Sequence, residues 1–187
     1  MNPLRHPNQL LLLGRYSTLL LISVMGILSI FSMASVNAQT NSQQPITIQA
    51  NQLDTYDQQG ESHYQGEVVA RQGHLLLKGD TLVVYHPQRL IDRIVTDGQP
   101  AYFEMNDPEQ GPVKGHADRI VYYANQEIAH LIGNAFVDRG QTQSIQAGLI
   151  IVDLTTMTLQ ATGSSNTESA DTSPGRVEMI FTPGTQD

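Results

Sequence analysis

The chain has 187 residues, 40% of them hydrophobic, with no cysteine and no tryptophan, and it carries ten basic against eighteen acidic side chains. An acidic balance without clustered Lys and Arg argues against a nucleic-acid partner and against simple adsorption to an anionic membrane. Without cysteine there is no disulfide scaffold, no thiol catalysis and no Cys-based metal site, so the fold must stand on its core alone.

Arg5 and Arg15 precede an apolar run, "LLLISVMGILSIF" at 19–31, which is followed by "SMASVNAQT". Val36 and Ala38 are small residues at the −3 and −1 positions of a cleavage site after Ala38. A basic start, an apolar centre and a small-residue exit predict a cleavable secretory signal peptide over 1–38. The run is shorter than the roughly 20 residues a membrane-spanning helix needs. All eighteen acidic and eight of the basic residues lie beyond it, a net charge of −10. The remaining length is that of a single domain.

From there on apolar residues alternate with polar ones, the period-2 signature of half-buried strands. "PITIQA" aligns Ile46 with Ile48, "EVVARQ" Val68 with Ala70, and "HLLLKG" Leu75 with Leu77. "PAYFEM" aligns Ala101, Phe103 and Met105; "SIQAGLI" aligns Ile145, Ala147 and Leu149; "RVEMIFTP" aligns Val177, Met179 and Phe181. "DQQG", "DGQP", "NDPEQGP" and "DRGQ" read as the intervening turns, being clusters of Gly, Pro, Asn and Asp. "GSSNTESADTSPG" at 163–175 is polar and aperiodic and reads as a loop over 164–175. The last strand and a short tail follow at 176–187.

The chain also repeats itself. A small residue and an aliphatic three positions on recur as Ala50 and Leu53, Gly79 and Leu82, Ala117 and Ile120, Ala147 and Ile150. Each pair is followed by a glycine, at Gly66, Gly98, Gly133 and Gly163. The interval from small residue to glycine is 16 in three copies and 19 in the copy from Gly79 to Gly98. A fixed interval implies one supersecondary unit reused along the chain. The expected architecture is all-β, a roll, sandwich or solenoid of consecutive strands.

Catalytic patterns are missing. The histidines, His116-x-Asp118 included, have no metal-ligand spacing, and neither a nucleophile elbow nor a phosphate-binding loop occurs. Neither an enzyme nor a bound metal or cofactor is expected. His116 and Asp118 are expected to make local hydrogen bonds at a turn.

"QPITIQANQLD", "YQGEVVARQGHLLLKGDTLVVY", "DGQPAYFEM", "GPVKGHADRIVYY", "LIGNAFVDRG" and "RVEMIFTP" resemble the OstA-like family of periplasmic lipopolysaccharide-transport proteins, the LptA type. The resemblance runs from about Gln44 to Pro183, and "PVKGHADRIVYY" with "LIGNAFV" is its most specific part. It implies a twisted, taco-like β-jellyroll over 39–163, of consecutive antiparallel strands in two splayed sheets with an apolar groove between them. It further implies a periplasmic carrier that shields the acyl chains of lipopolysaccharide (lipid A) on the way from inner to outer membrane. The implied partners are an inner-membrane LptC-like anchor of an ATP-driven transporter and an outer-membrane LptD-like translocon. By parity, the candidates for the groove lining are Ile46, Ile48, Val68, Leu77, Leu82, Phe103, Ile120, Tyr122, Val137, Ile145 and Leu149. Head-to-tail self-association is expected through the first and last strands, whose edges carry few charges and no internal proline. A membrane-anchored LptC-like component, a polysaccharide-binding β-module and a ligand-free β-solenoid are the competing readings. The absence of Trp weighs against the polysaccharide module.

Overall fold

The computed structural model describes residues 44–108, 111–140, 143–163 and 175–182; the predicted signal peptide and the 164–174 stretch lie outside them. The described residues form one ten-stranded antiparallel sheet rather than two sheets. Its strands are β1 (Thr47–Gln49), β2 (Gln52–Tyr56), β3 (Glu61–Gln72), β4 (Leu75–Tyr85), β5 (Arg93–Asp107), β6 (Gly111–Tyr123), β7 (Ile128–Asp138), β8 (Gln143–Asp153), β9 (Thr158–Thr162) and β10 (Glu178–Phe181). Hydrogen bonding follows chain order, β1-β3-β4-β5-β6-β7-β8-β10, with β2 beside β3 and β9 beside β8. The only helical element among the described residues is a 3-10 turn at Pro87–Arg89.

A line of register breaks crosses the sheet. It falls between Gln65 and Val68 in β3, Lys78 and Thr81 in β4, Asp97 and Ala101 in β5, His116 and Arg119 in β6, and Ile132 and Ala135 in β7. Extra residues at a bulge bend a strand and re-aim its side chains. Repeated in every inner strand, the bulges divide the sheet into two leaves whose inner faces share one hydrophobic core.

The repeated phrase is the sequence form of this belt. In β4, β6 and β8 the small residue ends the inward run on one leaf, and the aliphatic three positions on begins the inward run of the other. Buried residues therefore fall at Leu75, Leu77, then Leu82 and Val84; at Val113, Ala117, then Ile120 and Tyr122; and at Ile145, Ala147, then Ile150 and Val152. An odd step is what moves inward parity from one set of positions to the other. The glycines are the belt positions of the alternate strands, not hairpin turns. Gly66 and Glu67 (φ 81 and 47) and Gly133 and Asn134 (φ 76 and 46) adopt the same left-handed pair. The first residue of such a pair favours glycine, which lacks the Cβ that clashes there. "DGQP", expected as a turn, is the belt crossing inside β5, where the Gln99–Pro100 peptide is cis.

The interval of 16 is a round trip from the belt to a hairpin tip and back. The tips are four-residue turns at 57–60, 124–127 and 154–157. The trip from Gly79 to Gly98 is longer because its tip holds the 3-10 turn. The terminal strands break at the belt instead of bulging. β1 and β2 pair with the two halves of β3, and β10 and β9 with the two halves of β8. β9 ends at Thr162 on one side of the belt and β10 begins at Glu178 on the other. Tips stack on one another through His86 N–H to the Gly60 carbonyl (2.7 Å), Ala124 N–H to Asp92 (3.3 Å) and Leu154 N–H to Glu127 (2.9 Å).

Candidate functional site

The inner faces of the two leaves enclose the apolar interior. Of the expected lining residues, Val68, Leu77, Leu82, Phe103, Ile120, Tyr122, Val137 and Ile145 lie in the core, and Ile120, Tyr122 and Val137 expose nothing. Ile46 and Ile48 are half-buried against its edge. Leu149 is not among them. It follows the belt step of β8 and pairs with Ile132, which is exposed, so it sits on the outer face. Alternation read from Ile145 and Ala147 carried the wrong parity past the bulge.

The leaves meet closely. Gly115 lies on the inner face, and a Cβ there would come within 2.9 Å of Leu131 Cδ2 on the opposite leaf and 2.7 Å of the Phe136 carbonyl oxygen. One buried hydrogen bond spans them: Tyr122 Oη donates to Gln72 Oε1 at 3.0 Å. Gln72 Nε2 in turn donates to the Gln44 carbonyl at 3.0 Å. Gln72 ends β3 and Tyr122 is one residue from the end of β6, so this tie lies near the free margin of the leaves, away from the belt. Burial, with the Glu127 charge second, holds the Tyr122 phenol above its ordinary range, so it stays a donor. The void remaining between Leu75, Leu77, Ile94 and Tyr122 is only about 10 Å³. The interior is therefore closed where splayed sheets were expected.

It opens at the β1/β2 end. There a cleft of about 290 Å³ lies between Ile46 and Ile48 on one side and Tyr64, Val84 and Ile91 on the other. Besides the Tyr64 phenol, its polar members are Ser62, His86 and Arg89, with Ser62 Oγ 2.9 Å from His86 Nε2. None of the three was singled out from the sequence. Ser62 stands at a position whose inward parity was readable from Tyr64, but His86 and Arg89 belong to a turn, where no periodicity marks a face. At the opposite end Val177, Met179, Ile180 and Phe181 are all exposed.

His116 and Asp118 lie in β6 at the belt, not at a turn. His116 stacks on Phe136 with centroids 5.2 Å apart, and Asn134 Nδ2 donates to both Asp118 oxygens at 3.3 and 3.0 Å. Among the described residues no group of three or more His, Cys, Asp or Glu is placed to hold a metal ion, and no helix is long and apolar enough to cross a membrane.

One bent antiparallel sheet wrapped around an apolar interior and left unfinished at both ends defines an open-ended β-jellyroll. The family model described as LptA/(LptD N-terminal domain) LPS transport protein matches residues 47–158, and the chain belongs to that family. It is 28% identical to the lipopolysaccharide export system protein LptH of Pseudomonas aeruginosa over 144 residues, 75% of this chain and 81% of that protein. It is 32% identical to the lipopolysaccharide export system protein LptA of Escherichia coli K12 over 99 residues, 51% of this chain and 53% of that protein. The crystal structure of LptH, described as the LptA-homologous periplasmic component of the lipopolysaccharide transport device of P. aeruginosa, matches with a TM-score of 0.69 at 26% identity. That match covers 78% of this chain and 100% of the LptH chain. The resemblance in the sequence and the jellyroll it implied are both borne out.

Proposed function

We propose that the chain is a periplasmic lipopolysaccharide carrier that takes acyl chains between its two leaves and keeps the sugar portion in water. The observation behind this reading is the single apolar interior, continuous from Ile46 to Val152 and closed at its free margin by one side-chain hydrogen bond. Each CH₂ withdrawn from water is worth about 0.8 kcal/mol, so a chain of about twelve carbons costs on the order of 10 kcal/mol to expose. Parting the leaves exchanges side-chain contacts for acyl contacts of the same kind, which keeps the exchange near balance. The lining is Ile46, Ile48, Val68, Leu77, Leu82, Phe103, Ile120, Tyr122, Val137 and Ile145. The exposed edges of β1 and β10 suit strand addition, either to a second copy or to anchor and translocon components of similar fold at the two membranes. The relatives named for lipopolysaccharide export support this placement.

A photo-reactive residue at Ile48 or Phe103 should crosslink to lipopolysaccharide in cells, and one at Tyr102, on the outer face, should not. Equal labelling at inner and outer positions would sink the reading.

A further inference from the structure

Resting on the carrier reading, we infer that the cleft at the β1/β2 end is a receptor for an anionic headgroup, with Arg89 and His86 on a phosphate and Ile46, Ile48, Val84 and Ile91 along the attached acyl chain. The cleft is amphipathic in the required sense: Ile46, Ile48, Val84, Ile91 and the Tyr64 ring form its walls, and Ser62, His86, Arg89 and the Tyr64 hydroxyl are its polar groups, with Arg89 its permanently charged one. No carboxylate lines it, although acidic residues outnumber basic ones in this chain. The nearby acids are engaged elsewhere, Asp92 with Arg93 and Glu61 with His63, each at 2.9 Å. Arg93, Lys114 and Arg119 form ion pairs with carboxylates; Arg89, like Arg71, Lys78, Arg139 and Arg176, forms none of the ion pairs among the described residues, and of these five only Arg89 lines this cleft together with the Ile46 and Ile48 side chains and a histidine.

The turn that presents Arg89 is built for position. Gln88 and Arg89 both hold left-handed backbone, φ 58 and 65, which side-chain-bearing residues adopt at a cost. Three hydrogen bonds hold it there: His86 N–H to the Gly60 carbonyl at 2.7 Å, Arg89 N–H to His86 at 3.0 Å and Leu90 N–H to Pro87 at 3.1 Å. The His86 ring is oriented by Ser62, which is buried and also reaches Thr55 Oγ1 at 3.4 Å. A planar guanidinium and an imidazole lining one cleft offer several donors to a tetrahedral oxyanion, and hydrogen bonds to an ionised group are about twice as strong as neutral ones.

The test is calorimetric titration of the protein with dodecyl phosphate, dodecyl maltoside and inorganic phosphate, each below its aggregation concentration. Wild type should bind dodecyl phosphate about tenfold tighter than the maltoside. Arg89→Gln should lose that preference while still binding the maltoside, and Arg89→Lys should keep part of it. Equal affinity for the two amphiphiles in wild type overturns the inference and leaves the carrier reading intact. Inorganic phosphate binding as tightly as dodecyl phosphate also overturns it, because the site would then serve free phosphate. Failure of both amphiphiles to bind removes the carrier reading and this inference together.

Discussion

In the middle of the stack Ala117, Ile120, Tyr122, Leu131 and Val137 expose nothing, whereas at the last rung Met179 and Phe181 are 41% and 67% exposed. The same hairpin unit builds both regions. What differs is the number of neighbours: an inner rung is covered by a rung on either side, and an end rung on one side only. The two ends are unequal in turn. The first keeps Ile46 and Ile48 half-buried beside a cleft with a cationic rim; the last presents an apolar strand exposed on both faces. A stack of this kind has a finished middle that carries stability and unfinished ends that are free to carry contacts.

Five substitutions, one of them followed across pH, can break that contrast. The largest effect is expected at Phe103, the second-largest of the fully buried side chains: Phe103→Ala should cost roughly 3–5 kcal/mol in denaturant melts. A loss under about 1 kcal/mol would mean that the leaves stand apart in solution. Gly115→Ala adds a methyl against a backbone oxygen and should cost about 1–3 kcal/mol, with both leaves losing amide protection together. Tyr122→Phe removes the bond across the free margin and should cost about 1–2 kcal/mol while speeding uptake of an apolar dye. Unchanged uptake would show that this bond does not hold the leaves shut.

Smaller effects belong to the periphery. Asp153 Oδ1 accepts from the Thr155 and Thr156 N–H groups at 2.9 Å each, and chiefly the Thr156 contact holds its carboxyl below the usual range. A depressed folded-state value contributes stability above the unfolded value and loses it as pH falls through the folded one. Asp153→Ala should therefore melt below wild type at pH 7 and level with it at pH 2. Phe181→Ser should change stability by less than about 0.5 kcal/mol yet reduce self-association in sedimentation runs. Persistence of the same oligomers would remove the last strand from the contact.

Much of the middle was legible. The small residue with an aliphatic three positions on, and the glycine 16 later, are the belt crossings of two neighbouring strands, although the sequence alone marks the spacing and not its cause. Where glycine and proline meet at "DGQP", a strand crossing the belt and a turn demand the same residue types, so local chemistry could not separate them. Leu149 was misplaced because a parity rule holds only between bulges. The ends were less legible. The cleft joins residues from β1, β3, β4 and a turn, far apart in the chain, and closure of the leaves depends on packing that no single strand encodes.

The belt also makes the interior a quantity that can be counted. Each hairpin crosses it twice and adds two rungs, about 9.6 Å at the usual strand spacing. Eight rungs stand in this sheet, so the interior is about 34 Å long between the first and last. Because every unit meets only its neighbours, duplication or loss of one unit would change that length by a fixed increment and leave the bends, the tips and both ends as they are. The ruler is graduated in hairpins, and a gene that gains or loses one moves a whole division at a time.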